Sequence, residues 1–184
     1  GRVTMGRVLF IALTGIFGAA LLHIVIVLAI PAYADKDTWT KIEALGPTEF
    51  FHRLPTGRPG GLTSANPFVR SAVCRFDIGE APVRITAAGL THYWSLAIFD
   101  RYANEKYSMN DRTATDRKLD MAIVTTLQMI SYRKNLPAFL EDAVLVEFPV
   151  TTGYLVLRTV VPDASWDGIA RDFLKSAQCQ SVDS

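Results

Sequence analysis

Histidine and cysteine are scarce in this sequence, three of the first and two of the second. That scarcity removes whole classes of chemistry. Zinc sites want close-set Cys or His pairs, and Cys74 and Cys179 stand far apart. There is no Cys-x-x-Cys, no His-x-x-x-His, no Gly-x-Ser-x-Gly elbow and no glycine-rich phosphate loop. Excess charge of either sign is also missing: 19 Lys and Arg balance 18 Asp and Glu, with no basic run. Nucleic-acid binding, which needs a concentrated basic face to displace counterions, is therefore not expected. The most telling absence is local: from Val8 to Ile30 there is no Asp, Glu, Lys or Arg.

About 20 apolar residues at ~1.5 Å rise each cross the ~30 Å hydrocarbon core of a bilayer. Residues 1–33 therefore read as an N-terminal transmembrane anchor. Arg2 and Arg7 precede the span, whereas Asp35, Lys36 and Asp37 follow it. The excess of positive charge on the first side places the N-terminus in the cytoplasm and the rest outside. Ala32-Tyr33-Ala34 has the form of a signal-peptidase site. A secretion signal usually carries only 7–15 apolar residues, however, so an uncleaved anchor is the expectation.

Within the anchor, Gly15, Ala19 and His23 follow at i, i+4 and i+8, with Gly18 beside them. Small residues every fourth position let a second helix approach closely, and a polar ring in hydrocarbon marks a contact. Three readings of His23 stand: an interhelical or local hydrogen bond, a reach to head groups or water, and ligation of a porphyrin-type pigment. Ala19-x-x-x-His23 has the spacing of the Ala-x-x-x-His element of antenna polypeptides. With that one alternative, no cofactor is expected, and the lipid bilayer and another membrane protein are the expected partners.

The remaining residues suffice for one domain. Residues 34–68 read as a short helix over Asp37–Leu45 and a strap, Gly46–Phe68, with four prolines and four glycines. Tyr33 and Trp39, flanking the span, are placed at the head groups. His52, after Phe50-Phe51, reads as a packed aromatic anchor. Residues 69–184 carry β grammar. Strands are expected over Val69–Phe76, Pro82–Thr86, Tyr93–Asp100, Lys106–Met109, Met121–Thr126, Val144–Val150 and Tyr154–Val161. The last two are read as a hairpin turning at Thr151-Thr152-Gly153. Ser165 is placed as the cap of a final helix whose apolar face holds Trp166, Ile169, Ala170, Phe173 and Ala177. The expected fold class is mainly β: one transmembrane helix, then an antiparallel sheet or sandwich with a C-terminal helix packed on it. An even cysteine pair in an exported domain reads as one disulfide, Cys74–Cys179; inverted topology would leave two buried thiols.

Three stretches, Cys74-Arg75-Phe76-Asp77, Tyr93-Trp94-Ser95-Leu96-Ala97-Ile98-Phe99-Asp100 and Tyr107-Ser108-Met109-Asn110-Asp111-Arg112, carry a resemblance. With the anchor and the late Cys179, they resemble short membrane-anchored members of the bacterial "domain of unknown function 1254" family, of the alphaproteobacterial type. The resemblance implies an inner-membrane protein with a periplasmic β domain and implies no reaction.

The residues that could carry chemistry are His92, Asp100, Arg101, Asn110, Asp111 and Arg112, gathered if the strands around Tyr93–Asp100 and Lys106–Met109 pair. They read as a small-ligand or glycan site with Arg112 holding an anion against Asp111. The alternative is a hairpin-end network of side-chain turns and neutralised carboxylates. With no catalytic set found, the expected function is a non-enzymatic inner-membrane accessory or scaffold subunit, pairing through its helix and docking a partner with its periplasmic domain. A periplasmic ligand- or glycan-binding protein or enzyme of the cell envelope is the alternative.

Overall fold

The computed structural model describes residues 4–57, 62–64 and 66–182, with the backbone alone over 31–37. Helix α1 runs unbroken over Met5–Glu43. The sequence reading divides this stretch into a span and a separate helix from Asp37. No glycine stands between Ala19 and Gly46, and the helix formers around Pro31 carry the helix onward. Packing divides the chain at Asp37 into two units, 1–37 and 38–184. In the first, Met5–Ile30 is long and apolar enough to cross a membrane, with none of its most apolar stretch buried by protein.

The second unit is two packed sheets. β1 (His52–Arg53), β2 (Val69–Asp77), β4 (Trp94–Asp100), β5 (Glu105–Asn110) and β8 (Thr152–Val160) form the first, in the order β1-β2-β8-β4-β5. β3 (Val83–Ala87), β6 (Leu119–Val124), β7 (Val144–Glu147) and β9 (Gln178–Ser181) form the second, in the order β7-β6-β3-β9. The fold is mainly β with helices packed on the sheets. Alternating residues of both sheets meet in one core: Cys74, Phe76, Ile85, Leu96, Ile98, Met121, Ile123, Leu155 and Leu157 are buried there. Helix α3 (Trp166–Ser176) packs on that core through Phe173 and Leu174, and Ala170 is buried on the same face.

Three local expectations are corrected. The Val144–Val150 and Tyr154–Val161 segments do not form a hairpin. β7 pairs with β6, and in parallel, whereas β8 lies in the other sheet between β2 and β4. The chain changes sheets at Phe148-Pro149-Val150-Thr151: Phe148 is buried and its N–H donates to Val124, while Pro149 has no N–H to extend the ladder. Residues past Thr125 are not strand but helix α2 (Thr126–Lys134), started by a Thr125/Gln128 capping box. Ser165 stands at the N-cap position of α3, but its side chain makes no capping hydrogen bond. Its own N–H and hydroxyl donate to Asp163, and Ile169 is exposed while Leu174 takes its place in the buried face.

Cys74 of β2 and Cys179 of β9 form a disulfide that ties one sheet to the other across the core. The two residues are 105 apart in sequence, and closing so long a loop restricts the unfolded chain by about 4–5 kcal/mol in the chain-entropy model. A second tight point is Gly153, where a Cβ would stand 2.5 Å from the Phe99 carbonyl oxygen and 2.8 Å from the Phe76 ring. Replacing both cysteines by alanine is expected to lower unfolding free energy by about 2–5 kcal/mol in urea titrations. Gly153→Ala is expected to lower it by about 1–3 kcal/mol through overpacking, read the same way.

Candidate functional site

The β4–β5 hairpin separates the residues that the sequence grouped. Its turn is built by Asp100, which is 6% exposed. Asp100 Oδ1 accepts from the N–H groups of Tyr102 at 2.8 Å and Asn104 at 3.0 Å, and the Asn104 side chain donates to both carboxylate oxygens. Lys106 forms an ion pair with it at 3.2 Å. Burial pushes the carboxyl up, but the hydrogen bonds from Asn104 and Tyr102, aided by Lys106, outweigh it and hold Asp100 below the usual carboxylate range. Arg101 is exposed beside it, its guanidinium over the rings of Trp39 and Tyr102 at 5.7 and 5.9 Å.

His92, Asn110, Asp111 and Arg112 lie at the opposite end of the hairpin, a strand's length away, about 20 Å at ~3.3 Å per residue. The six residues are therefore two groups. A pocket of about 570 Å³ gathers His92, Tyr93, Asp111, Arg112, Arg117 and Val160. Asp111 is 3% exposed, and its partner is Arg117, not Arg112: Oδ2 accepts from Nη2 at 2.5 Å and from Nε at 3.1 Å. Consecutive left-handed residues, Asp116 and Arg117 (φ 53° and 57°), turn the chain back so that this guanidinium meets the carboxylate. Asn110 makes a side-chain turn, its Oδ1 accepting from the N–H groups of Arg112 and Thr113. Arg112 and His92 are exposed, the imidazole edge-on to Trp166 at 5.2 Å. The sequence reading missed Arg117; no spacing rule ties a residue in a loop to a carboxylate six positions back.

A second depression lies on the outer face of the first sheet. Four cross-strand rows run over β2, β8 and β4: Val69–Val160, Ser71–Arg158–Ser95, Val73–Val156–Ala97 and Arg75–Tyr154–Phe99. The 38–43 end of α1 and the turn after it cover one side of this face. There Ile42 is 3% exposed, Trp39 packs on Tyr154, and Glu43 pairs with Arg75 at 2.9 Å. Trp39 is thus part of the folded unit, and the Tyr33 side chain lies outside the described residues. The strap returns over the same face, pinned by the Leu54 N–H to Ser71 and by the Ser64 hydroxyl to Val69. His52, at its start, sits edge-on to Phe50, and its Nε2 is 3.0 Å from the Pro47 carbonyl oxygen. Between helix end, strap and sheet lies a cavity of about 440 Å³, whose wall includes Ile42, Leu54, Leu62, Val73, Tyr154 and Val156. Arg158 stands at its edge and also lines an adjoining polar depression with Ser95, Ser108 and Asn110. The sequence reading passed over Arg158, although one arginine in the apolar run Tyr154–Val161 was the available signal.

On α1, Gly15, Gly18, Ala19 and His23 are all exposed, and a Cβ added at either glycine would meet nothing within 4 Å. Among the described residues, no three His, Cys, Asp or Glu side chains are gathered as a metal site.

No family profile matches the sequence, and no curated protein matches it. Two solved structures superpose on this chain. The VPA0106 protein from Vibrio parahaemolyticus superposes with a TM-score of 0.61 at 14% identity, over 84% of this chain and 36% of its own. An uncharacterized protein from Burkholderia cenocepacia gives 0.48 at 12% identity, over 76% of this chain and 37% of its own. The first likeness shows a shared fold and nothing about activity, and this chain spans little more than a third of either solved chain.

The Asp100 network sets a pH dependence. Its folded carboxyl titrates below the unfolded value of about 3.9. Its contribution is therefore complete above that value and is lost as pH falls through the lower, folded one. Asp100→Asn is expected to cost about 1–3 kcal/mol at pH 7. The gap from wild type should close as the solution is acidified below about pH 4, followed by urea unfolding across a pH series.

Proposed function

We propose that this protein is a bacterial inner-membrane protein whose first unit is the anchor and whose second unit works outside the cytoplasm by binding rather than catalysis. The observation that carries the reading is the Met5–Ile30 helix, apolar along its length and unburied by protein, in one chain with a disulfide-closed β unit. Lipid is the solvent that such a surface requires. A disulfide between buried cysteines persists in an oxidising compartment, which together with Arg2 and Arg7 before the span supports an exported second unit. In this reading Gly15, Ala19 and His23 pair with a helix of another membrane protein, and the chain is an accessory or scaffold subunit of a membrane complex. His23 serves there as the polar contact of that pairing, with pigment ligation as its alternative. The resemblance to the "domain of unknown function 1254" family agrees with this placement and adds no reaction.

The outer-face groove favours a second reading, a small-ligand-binding protein of the cell envelope. Its volume falls within the ~300–1,000 Å³ common for ligand pockets, and its lining is mostly apolar with a few polar groups.

Placement and pairing are tested together. Single-cysteine variants built on a Cys74→Ala/Cys179→Ala background, provided that background folds, are exposed to a membrane-impermeant maleimide in spheroplasts. Positions in 38–184 are expected to react without lysis, and Arg7→Cys only after it. Reaction of the β unit only after lysis would overturn the orientation. Cross-linking in native membranes is expected to give an adduct with another membrane protein that Gly15→Leu/Ala19→Leu abolishes; a chain that never cross-links would overturn the accessory role.

A further inference from the structure

Arg158 is a cation set into the central strand of the first sheet. β8 has a strand on each side, and from Gly153 to Leu157 every residue is buried. Arg158 is half-buried on the outer face, and among the described residues its guanidinium has no hydrogen bond or ion pair. The other half-buried arginines of the β unit are matched: Arg75 with Glu43, Arg70 with Asp167 and, in the second sheet, Arg84 with Asp120. Glu105 shares the polar depression beside Arg158 but is exposed and forms no ion pair with it. A partly desolvated charge left unmatched, where the other half-buried arginines are matched, is a place where an anion from outside gains most.

The immediate neighbours of Arg158 sharpen the chemistry. Ser71 on β2 and Ser95 on β4 stand directly opposite it on either side, with Cβ atoms within about 4.5–5.5 Å. Neither hydroxyl has a hydrogen-bond partner among the described residues. A planar fork of N–H donors with an O–H donor on each flank is a receptor for an oxyanion, and the fork suits a two-oxygen carboxylate. One row further along the strands, about 6–7 Å away, the face turns apolar with Val73, Val156 and Ala97, then Tyr154 and Phe99. Leu54, Leu62 and Ile42 wall that side. Charge and greasy surface lie end to end in one groove of about 440 Å³.

We propose that this groove binds a fatty-acid-like carboxylate. Its head group sits on Arg158 between Ser71 and Ser95, and its alkyl chain lies over Val73, Val156, Tyr154 and Phe99 under Leu54 and Leu62. This rests on the second reading above, that the groove is a ligand site, and names its ligand class. The arginine supplies charge and direction, the serines fix the second oxygen's side, and the apolar rows reject short polar acids.

The test uses the full chain in lipid nanodiscs and a decanoate analogue bearing a diazirine on its chain, with mass spectrometry of the cross-linked peptides. Labelling is expected on the Leu54 and Val73 or Tyr154–Val156 peptides, saturable, and displaced by decanoate at least tenfold more effectively than by decanol. Arg158→Gln is expected to weaken labelling roughly tenfold or more, the loss of a charge-assisted contact, with Arg158→Lys retaining part of it. Displacement by decanol as readily as by decanoate, with Arg158→Gln unchanged, would overturn the carboxylate while leaving a ligand groove in place. Labelling that nothing displaces, or that spreads over α1 alone, would overturn both. Should Arg158→Gln fail to fold by circular dichroism, the decanoate-to-decanol ratio on the wild-type chain decides the matter.

Discussion

The Cys74–Cys179 bond is the constraint on which the arrangement of this β unit turns. Cys74 lies on β2 of the first sheet, and Cys179 lies on β9, the edge strand of the second and the last element among the described residues. β9 reaches β3 only after α3 has crossed the core, so the bridge holds the C-terminal strand, the helix before it and both sheets in one register. Sheet-on-sheet packing supplies most of the burial, and the interdigitated inner faces set the alignment. The covalent link favours that arrangement further by restricting the unfolded chain. Both cysteines are almost wholly buried, so the link is sheltered by the core that it helps to hold.

With the inner face committed to that core, the outer face of the first sheet carries what is distinctive. An antiparallel sheet commonly leaves one face to water. Here the outer face is covered in part by the 38–43 end of α1 with the turn after it, and by a strap whose prolines and glycines suit a path over a surface rather than through it. Among the described residues, the cover stops short of closing over Arg158. Its edges are fixed by specific contacts, Glu43 with Arg75, Trp39 with Tyr154 and the Leu54 N–H with Ser71, so the opening is a built feature and not slack.

How much of this was legible without coordinates varied with the reach of the interaction concerned. The apolar span, the strands over Val69–Phe76, Tyr93–Asp100 and Tyr154–Val161, and the final helix were all written in local periodicity, which depends only on which face each residue must bury. The disulfide followed from there being only two cysteines in a domain read as exported. The partners of β7 were not legible, because alternation in Val144–Val150 is the same whether the next strand is a neighbour or lies in another sheet. Only Pro149 and the burial of Phe148 decide that the chain crosses over. Helix α2 was legible and overlooked: Thr125-x-x-Gln128 is a capping box, and a strand assigned through Thr126 hid it. For the polar residues, sequence proximity misled in both directions. It joined Asp100 to Asp111 across the length of a strand, and it paired Asp111 with Arg112 when a left-handed turn delivers Arg117.

That last failure has a physical lesson about where to look for binding. A cluster of opposite charges in a sequence attracts attention, yet charges that find each other within the fold are spent there. Asp100 is saturated by Asn104, Tyr102 and Lys106, and Asp111 is neutralised by Arg117. At Asp100 the desolvation is offset internally, and at Asp111 the charge is neutralised through Oδ2, although its Oδ1 has no hydrogen-bond partner among the described residues. Arg158 differs in kind, because the fold has partly desolvated it between two serines without supplying a carboxylate. The free energy available to an incoming anion is greatest where protein has removed water and provided nothing in exchange. The same apolar wall that partly desolvates the guanidinium then offers a surface to whatever the anion is attached to. One groove thereby favours a molecule with both characters over a molecule with either alone.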